Sequence, residues 1–449
     1  MRLLFLFLIL LGSVHHSIAD HFTDKKTKTD ANLTGHVINK NTGEHIPFFT
    51  VSLKGTTLGT ATDETGHYFL KNLPVGSYTI RVNGVGYRSA EKQIVLRQGE
   101  TRELNFEVEE DIIQLETVVI SANKNETNRM EAPVVVHVMT PKLFENTNSV
   151  CLAQGLSFQP GLRVETNCQN CGFQQVRING LDGPYTQLLL DGKALFSSLN
   201  GVYGIEQIPA GMIERVEVMR GGGSALYGAN AIGGTVNIIT KEPLNNLFMI
   251  SHNLIAIGNS AYDNTTSLNA SLINGQRNAD LYIFGTSRHR QHYDHDGDHF
   301  SEIGELKLTT LGFRSYYKPS SQTKLTLEYH NIQEFRRGGN LFSLPPHETD
   351  ITEQADHDIN GGGVDFSFFS KDYTHKFSLY SSVQHTDRQS YYGAGKDPNA
   401  YGKTKDLTAI AGIQYSYNFN HLLFMPAILT AGSEYSYNKL VDKMLGYHR

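Results

Sequence analysis

The chain changes its hydrophobic rhythm several times, and each rhythm predicts a different element. It opens on an unbroken apolar run, Leu3 to Leu11, behind Arg2 and ahead of the small residues Ser17-Ile18-Ala19. That order predicts a secretory signal peptide over 1–19, too short to span a bilayer as a helix. A polar linker covers 20–32. From 33 to 110, short segments alternate apolar and polar positions with a period of two. Turn signals cut them at Asn41-Thr42-Gly43, Asp63-Glu64-Thr65-Gly66 and Pro74-Val75-Gly76. Period-two segments between such turns predict a small β-sandwich.

Residues 111–128 hold one extended stretch, Leu115 to Ala122, between polar flanks. A lone strand cannot satisfy its own backbone hydrogen bonds. It either pairs within the chain or adds to the sheet edge of another protein. Residues 129–241 then mix helix and strand patterns. They contain a Pro160-Gly161 turn, a hairpin "QLLLDGKALF" turning at Asp191-Gly192, and "ERVEVMRGGGSALYGANAIGGTVNIIT" from Glu214 to Thr240. In the last stretch Val216, Val218 and Val236, Ile238 alternate with polar residues as half-buried strands do, while glycines crowd the middle. A glycine-rich turn between strands implies a backbone that must come close to something.

From 242 onward, segments such as "TKLTLEYHNI", "HKFSLYSSVQH" and "IAGIQYSYNF" have one apolar, aromatic face and one polar face. Strands of that kind, separated alternately by short turns and longer charged loops ("RHRQHYDHDGDHF", "LPPHETDITEQADHDINGGG"), carry the pattern of a transmembrane β-barrel. Beyond the first twenty residues there is no apolar run long enough for a spanning helix, so any membrane crossing is by strands. The fold class is therefore mainly β: a small sandwich, an α+β domain, and an antiparallel barrel that is incomplete.

Composition adds little to this and removes some possibilities. A net charge of −6 gives no footing for nucleic acid. The 22 tyrosines, 23 phenylalanines and 42 glycines, with no tryptophan, suit aromatic strands joined by glycine turns. The glycine stretch is not a nucleotide loop, because Leu226 stands where the third glycine belongs and the P-loop lysine is missing. In "YDHDGDHF", Asp294, Asp296 and Asp298 with Glu305 imitate a calcium loop, but Gly297 is misplaced and His299 occupies the glycine position. That loop reads as solvated. No catalytic constellation, metal site or cofactor is expected. Of the three cysteines, Cys151 in "SVCLAQGL" reads as a small core residue. Cys168 and Cys171 form a CxxC in an exported chain, where a local disulfide is favoured over a soft-metal pair or a haem contact.

Two stretches carry resemblances. "TGHVINKNTGEHIPFFTVSLKGT" and "TDETGHYFLKNLPVGSYTIRV" resemble the carboxypeptidase regulatory-like domain, a binding or spacer module without catalysis. The glycine stretch resembles the end of the plug domain of TonB-dependent outer-membrane receptors. Its matching residues include Glu214, Arg215, Glu217, Arg220, Gly221, Ser224, Tyr227, Gly228, Gly233, Gly234 and Asn237. "RINGLDGPYTQLLLDG" resembles the plug's earlier hairpin, with Asn179 in place of the usual arginine. The resemblance implies a plug over 129–241 inside a barrel over 242–449, with Arg220 bridging to carboxylates of the wall. It also implies that Glu116, Thr117, Val118, Val119, Ile120, Ser121 and Ala122 are the TonB box, the strand that pairs with the periplasmic protein TonB. The sandwich ahead of it is the extension found in Bacteroidetes-type receptors.

The implied protein sits in outer-membrane lipid with its N-terminal domain in the periplasm. It is not an enzyme but a receptor for energised uptake of a metal chelate, with siderophore the leading class and cobalamin or haem behind it. A non-transporting surface binding or adhesion protein is the rival. Two plug loops are expected to face the ligand, through Asn167, Gln169 and Asn170 and through Phe196, Asn200 and Tyr203. The 208 residues after Lys241 (449 − 241) are about half of what a 22-stranded barrel needs at roughly 20 residues per strand and connection. The expectation is thus a fragment or an early-ended chain.

Overall fold

A computed structural model describes residues 31–444 apart from 85–86, 110–117, 122–123, 126, 129–131, 169–171, 195–199, 222–223, 244, 277, 373 and 423–424. The expected signal peptide lies outside these residues.

The first unit is a two-sheet sandwich. Its strands are β1 (Asn32–Asn39), β2 (Thr50–Leu53), β3 (Gly59–Ala61), β4 (His67–Leu70), β5 (Gly76–Asn83), β6 (Ala90–Leu96), β7 (Thr101–Glu103) and β8 (Phe106–Val108). One sheet runs β4-β1-β7, with β8 also on β1, and the other runs β3-β2-β5-β6. The period-two pattern is realised directly: Leu33 and Val37 of β1 point inward with Val51, Leu53, Ile80, Val82 and Phe106. Such alternation buries one face of each sheet against the other.

A two-residue strand β9 (Val118–Val119) pairs antiparallel with β10 (Thr127–Asn128). The central domain follows, with β11 (Val136–Met139), α1 (Pro141–Asn146), α2 (Leu152–Leu156), β12 (Leu162–Cys168), β13 (Phe173–Ile178), β14 (Thr186–Leu190), α3 (Asn200–Gln207), β15 (Ile213–Arg220), α4 (Ser224–Tyr227) and β16 (Gly234–Thr240). Its sheet order is β11-β15-β16-β14. The glycine stretch is thus an antiparallel pair, β15 with β16, placed in the middle of that sheet. Cys151 is buried just ahead of α2. The expected hairpin turn at Asp191-Gly192 is present, while residues 195–199 of its second arm lie outside the described residues. The turn forms with positive φ at both residues and a bridge between Leu190 and Lys193, and β14 takes β16 as its parallel ladder partner. The five leucine-rich positions of β14 are buried on both faces, which a central-sheet parallel edge supplies.

The third unit is a single antiparallel sheet in sequence order: β17 (Leu247–Ile257), β18 (Ala261–Ile273), β19 (Ala279–Arg290), β20 (Glu305–Ser320), β21 (Thr323–Gly339), β22 (Ile351–Phe369), β23 (His375–Ala394), β24 (Tyr401–Leu422) and β25 (Met425–Met444). Within the described residues its edges are β17 and β25. Along β20, Thr310, Gly312, Arg314 and Tyr316 are buried while Leu311, Phe313 and Tyr317 are exposed. The same inversion recurs in β18, with Asp263, Thr265 and Asn269 buried and Tyr262 and Leu272 exposed. Polar residues inside and an apolar band outside are the reverse of a soluble sandwich and are the arrangement of a membrane-spanning barrel wall.

What the polar face covers is the central domain. Nine strands about 4.8 Å apart would span roughly 38 Å if flat. Yet the central domain and the segment leading into it touch both edges, through Asn148 with Asn253 of β17 and Asn125 with Thr430 of β25. The sheet therefore wraps around them. The sandwich lies at the end where strands join through 321–322, since the Thr57 N–H donates to the Ser321 carbonyl and Asn245 bonds Thr62. Connections at that end (274–278, 321–322, 370–374, 423–424) are shorter than most at the other (258–260, 291–304, 340–350, 395–400). Short periplasmic turns and longer outer loops are the asymmetry of outer-membrane barrels.

Candidate functional site

At the short-turn end, the polar positions of the glycine stretch converge on one residue of the preceding segment. Glu217 lies in β15, opposite Asn237 of β16. Glu217, Asn237 and Ser121 have 0% exposed surface. Glu217 Oε2 accepts from the Ile120 N–H (2.9 Å), the Ser121 N–H (2.8 Å) and the Ser121 hydroxyl (2.6 Å). Its other oxygen accepts from Arg215 Nε at 2.8 Å. Asn237 Nδ2 donates to Ser121 Oγ at 3.0 Å, while Asn237 Oδ1 accepts from the Gly192 N–H at 2.9 Å. From α4, the Tyr227 hydroxyl donates to the Ser121 carbonyl at 3.0 Å. Every polar atom of Ser121 is thereby filled. Beside it, Val119 packs against Val136.

The chemistry of this grip is strong and specific. Hydrogen bonds to a charged acceptor are worth roughly 1.5–3 kcal/mol each, and backbone N–H groups offer them whatever the side chain. The glycines make the geometry possible. Gly234 has φ 142°, and a Cβ there would lie 2.2 Å from the Met219 carbonyl oxygen, so only glycine lets β16 turn back onto β15.

The resemblance sends Arg220 to carboxylates of the wall. Instead it donates to the Pro160 carbonyl inside the central domain, with its guanidinium against Gly161. Its position at the end of β15 points it along the sheet toward the Pro160-Gly161 turn rather than outward.

Other residues join the two units. Glu206 of α3 meets Arg288 and Arg290 at 3.1 Å each and Arg336 at 2.8 Å. Burial pushes the Glu206 carboxyl up, and Arg336, Arg290 and Arg288 outweigh it, holding the group below the ordinary carboxylate range. Asp191 meets Arg314 at 2.5 Å and accepts from the Thr240 N–H and hydroxyl. Burial again opposes ionisation, and Arg314 leads the interactions that lower its pKa. Lys193 meets Asp365 at 2.5 Å. Sequence reasoning places Asp191 only in a turn and does not single out Glu206. The available signal is charge at inward positions: Arg288 and Arg290 are two apart on one strand and so share a face.

Of the expected coupling segment, Glu116, Thr117 and Ala122 lie outside the described residues, as does the Val118 side chain. The plug-motif residues Glu214, Arg215, Gly221, Gly228 and Gly233 lie on or between β15 and β16, and Ser224 begins α4. The expected ligand-facing loops flank the opposite end. The β12–β13 connection comes beside Arg336, since a Cβ on Gly172 would lie 2.7 Å from its Nη1. Asn200 and Tyr203 are in α3, the helix of Glu206. The side chains of Asn167, Cys168, Asn200 and Tyr203, and all of Gln169, Asn170, Cys171 and Phe196, are outside the described residues, and the expected disulfide with them. At the same end an open cleft is lined by His289, His292, Asp294, Glu305 and Phe342, with His292 stacked on Phe342 at 3.7 Å. In the neighbouring loop it is Glu302, not Glu305, that joins Asp294, Asp296 and Asp298. Glu305 begins β20 and pairs with Lys307. The loop's carboxylates accept from its own backbone N–H groups, as a turn-rich solvated loop does.

Comparison with known proteins agrees with this architecture. The CarboxypepD_reg-like domain matches residues 33–120, and the TonB-dependent Receptor Plug Domain matches 128–235. The vitamin B12 transporter BtuB of Vibrio vulnificus is 35% identical over 127 residues, 28% of this chain and 21% of that protein. The siderophore receptor PirA of Acinetobacter baumannii aligns at a TM-score of 0.57 and 19% identity, over 68% of this chain and 48% of its own. FpvA of P. aeruginosa bound to heterologous pyoverdines aligns at 0.58 and 15% identity, over 75% and 48%. At such identities the structural likeness speaks for the fold. The chain spans about half the length of these receptors.

Proposed function

We propose that this chain, whose central domain matches the plug of TonB-dependent receptors and whose strands form a barrel wall like theirs, is an outer-membrane receptor that captures a metal chelate outside the cell and admits it with energy supplied by TonB. The observation that carries this reading is the convergence of Glu217, Tyr227 and Asn237 on Ser121. A segment held by a few strong hydrogen bonds at the periplasmic end is one that a partner can take by strand addition. Glu217 sits on β15, an interior strand of the plug. A pull on 116–122 is therefore delivered to the plug's centre and not to a peripheral loop. A protein that only binds or adheres has no use for such a handle.

The ligand in this reading is a ferric siderophore. Receptors named for siderophores are among the structural likenesses, and the outer cleft offers histidine, carboxylate and a stacked aromatic rather than a purely apolar wall. The transporter named for vitamin B12, which matches by sequence, favours cobalamin as the second reading.

The test is import of radiolabelled ferric siderophore by cells carrying the protein, with and without TonB, and with labelled cobalamin in parallel. Iron import that needs TonB is expected. Val119→Pro, which removes a backbone donor from the coupling strand, should bind chelate and fail to import it. Import of cobalamin alone would transfer the substrate to the second reading. Surface binding with no TonB-dependent import of either would overturn transport.

A further inference from the structure

The sandwich carries a histidine trio that the receptor function does not use. His36 of β1 and His67 of β4 are direct cross-strand partners. His45 returns beside β1 through a bridge with Ile38. The ring centroids lie 5.0 Å (His36–His45), 4.8 Å (His45–His67) and 5.7 Å (His36–His67) apart. We propose that His36, His45 and His67 form a binding site for a divalent transition-metal ion of the zinc or copper class on the periplasmic N-terminal domain.

Three observations carry this. The first is spacing. An ion about 2.0–2.1 Å from one nitrogen of each of three imidazoles in tetrahedral array sets the ring centroids roughly 5 Å apart, and the three observed separations bracket that value.

The second is proton placement. His45 Nδ1 lies 3.0 Å from the Thr65 carbonyl oxygen, which can only accept, so His45 carries its proton on Nδ1. The Thr65 hydroxyl donates to Asp63 Oδ1 at 2.7 Å and so accepts from His67 Nδ1 at 3.0 Å. Asp63 Oδ1 is itself fixed by the N–H groups of Thr65 and His67. In both rings the lone pair is therefore on Nε2. A carbonyl or a carboxylate-backed hydroxyl behind the imidazole is how metal-binding histidines are oriented and made more basic.

The third is backbone approach. Gly66 has φ 76°, and a Cβ there would meet the His45 Cβ at 2.7 Å. A glycine is required for the turn that brings His67 and its supports against His45.

His36, half-buried on β1, is the ring of the three that no hydrogen bond among the described residues pins. The three nitrogens are not gathered within 4.8 Å of one another in this structure, so the His36 ring must turn toward the other two as the ion binds. His45 and His67 are exposed, so the fourth position opens to solvent, as in a site that captures or passes an ion rather than one that holds the fold together.

The experiment uses the full chain in detergent, stripped of metal, with Zn2+ for calorimetry and Cu2+ for electron paramagnetic resonance. One Zn2+ site and Cu2+ coupling to several imidazole nitrogens are expected. His45→Ala, His67→Ala and His36→Gln should each weaken Zn2+ by about tenfold or more and reduce the nitrogen coupling, and Thr65→Val should weaken it by a smaller factor. Because His45 and His67 are exposed, their variants keep the fold and remain decisive if His36→Gln does not. Asp294→Asn should leave Zn2+ affinity unchanged. Wild-type Zn2+ affinity and an unaltered Cu2+ spectrum in either His45→Ala or His67→Ala would overturn the site, as would loss of the Zn2+ site in Asp294→Asn alone.

Discussion

At the scale of single residues, Glu217 is decisive because a fully buried carboxylate must have its oxygens filled by donors. Three of the four donors come to one oxygen, all from Ile120 and Ser121. Glu217→Gln keeps the shape but removes the charge and half of the accepting capacity. The bonds at stake are worth about 1.5–3 kcal/mol each. Amide hydrogen exchange at Ile120 and Ser121 should accelerate by about tenfold or more, while the core strand β16 keeps its protection. Unchanged protection at both amides would mean that packing of Val119, not the carboxylate, holds the segment.

At the scale of elements, the glycine stretch works through two kinds of demand. Gly221 has φ 64°, and a Cβ added to it would find no atom within 4 Å, so a side chain there meets only backbone strain. That costs roughly 1–2 kcal/mol. Gly234 combines φ 142° with a steric block from the Met219 carbonyl and Ile178. Gly221→Ala should fold with a modestly lowered melting temperature. Gly234→Ala should break the β15–β16 register, cost more than about 3 kcal/mol, and expose the plug to protease. Equal protease resistance in the two variants would refute the assignment of Gly234 to close backbone contact.

At the scale of the whole molecule, the plug is seated by buried ion pairs, and their pH dependence follows from the carboxyl groups of the plug. Glu206 and Asp191 both have pKa values below their ordinary 4.5 and 3.8. A carboxyl depressed in the folded state binds protons more readily when unfolded. Its stabilisation is thus complete above the unfolded pKa and drains away as pH falls through the folded one. Protection of α3 and β14 from hydrogen exchange should be flat from about pH 8 to about pH 5 and decline only below about pH 4.5. Glu206→Gln should leave three guanidiniums without their shared carboxylate and loosen α3 at neutral pH, since breaking a buried pair costs roughly 3–5 kcal/mol. A decline that begins near pH 6.5 in the native chain would point to histidines as the groups that seat the plug.

Much of this was legible along the chain, and what was not has a common cause. The sequence by itself determined the order of units, the period-two strands and the positions where glycine is required. Alternation and φ are properties of neighbouring residues, so a local pattern carries them. Alternation alone could not tell which face of a strand is inside. Leu311 and Arg314 obey the same alternation whether the core is apolar or polar, and only the wrapped sheet puts Arg314 in and Leu311 out. Nor could it pair Ser121 with Glu217, 96 positions away, Glu206 with Arg288, 82 positions away, or His36 with His67. Arg220, read locally as a bridge to the wall, turns inward to Pro160 because the direction of β15 sends it there. Partnerships between distant residues depend on where whole elements come to rest, and that is decided by packing the plug, the wall and the sandwich together rather than by any stretch of sequence.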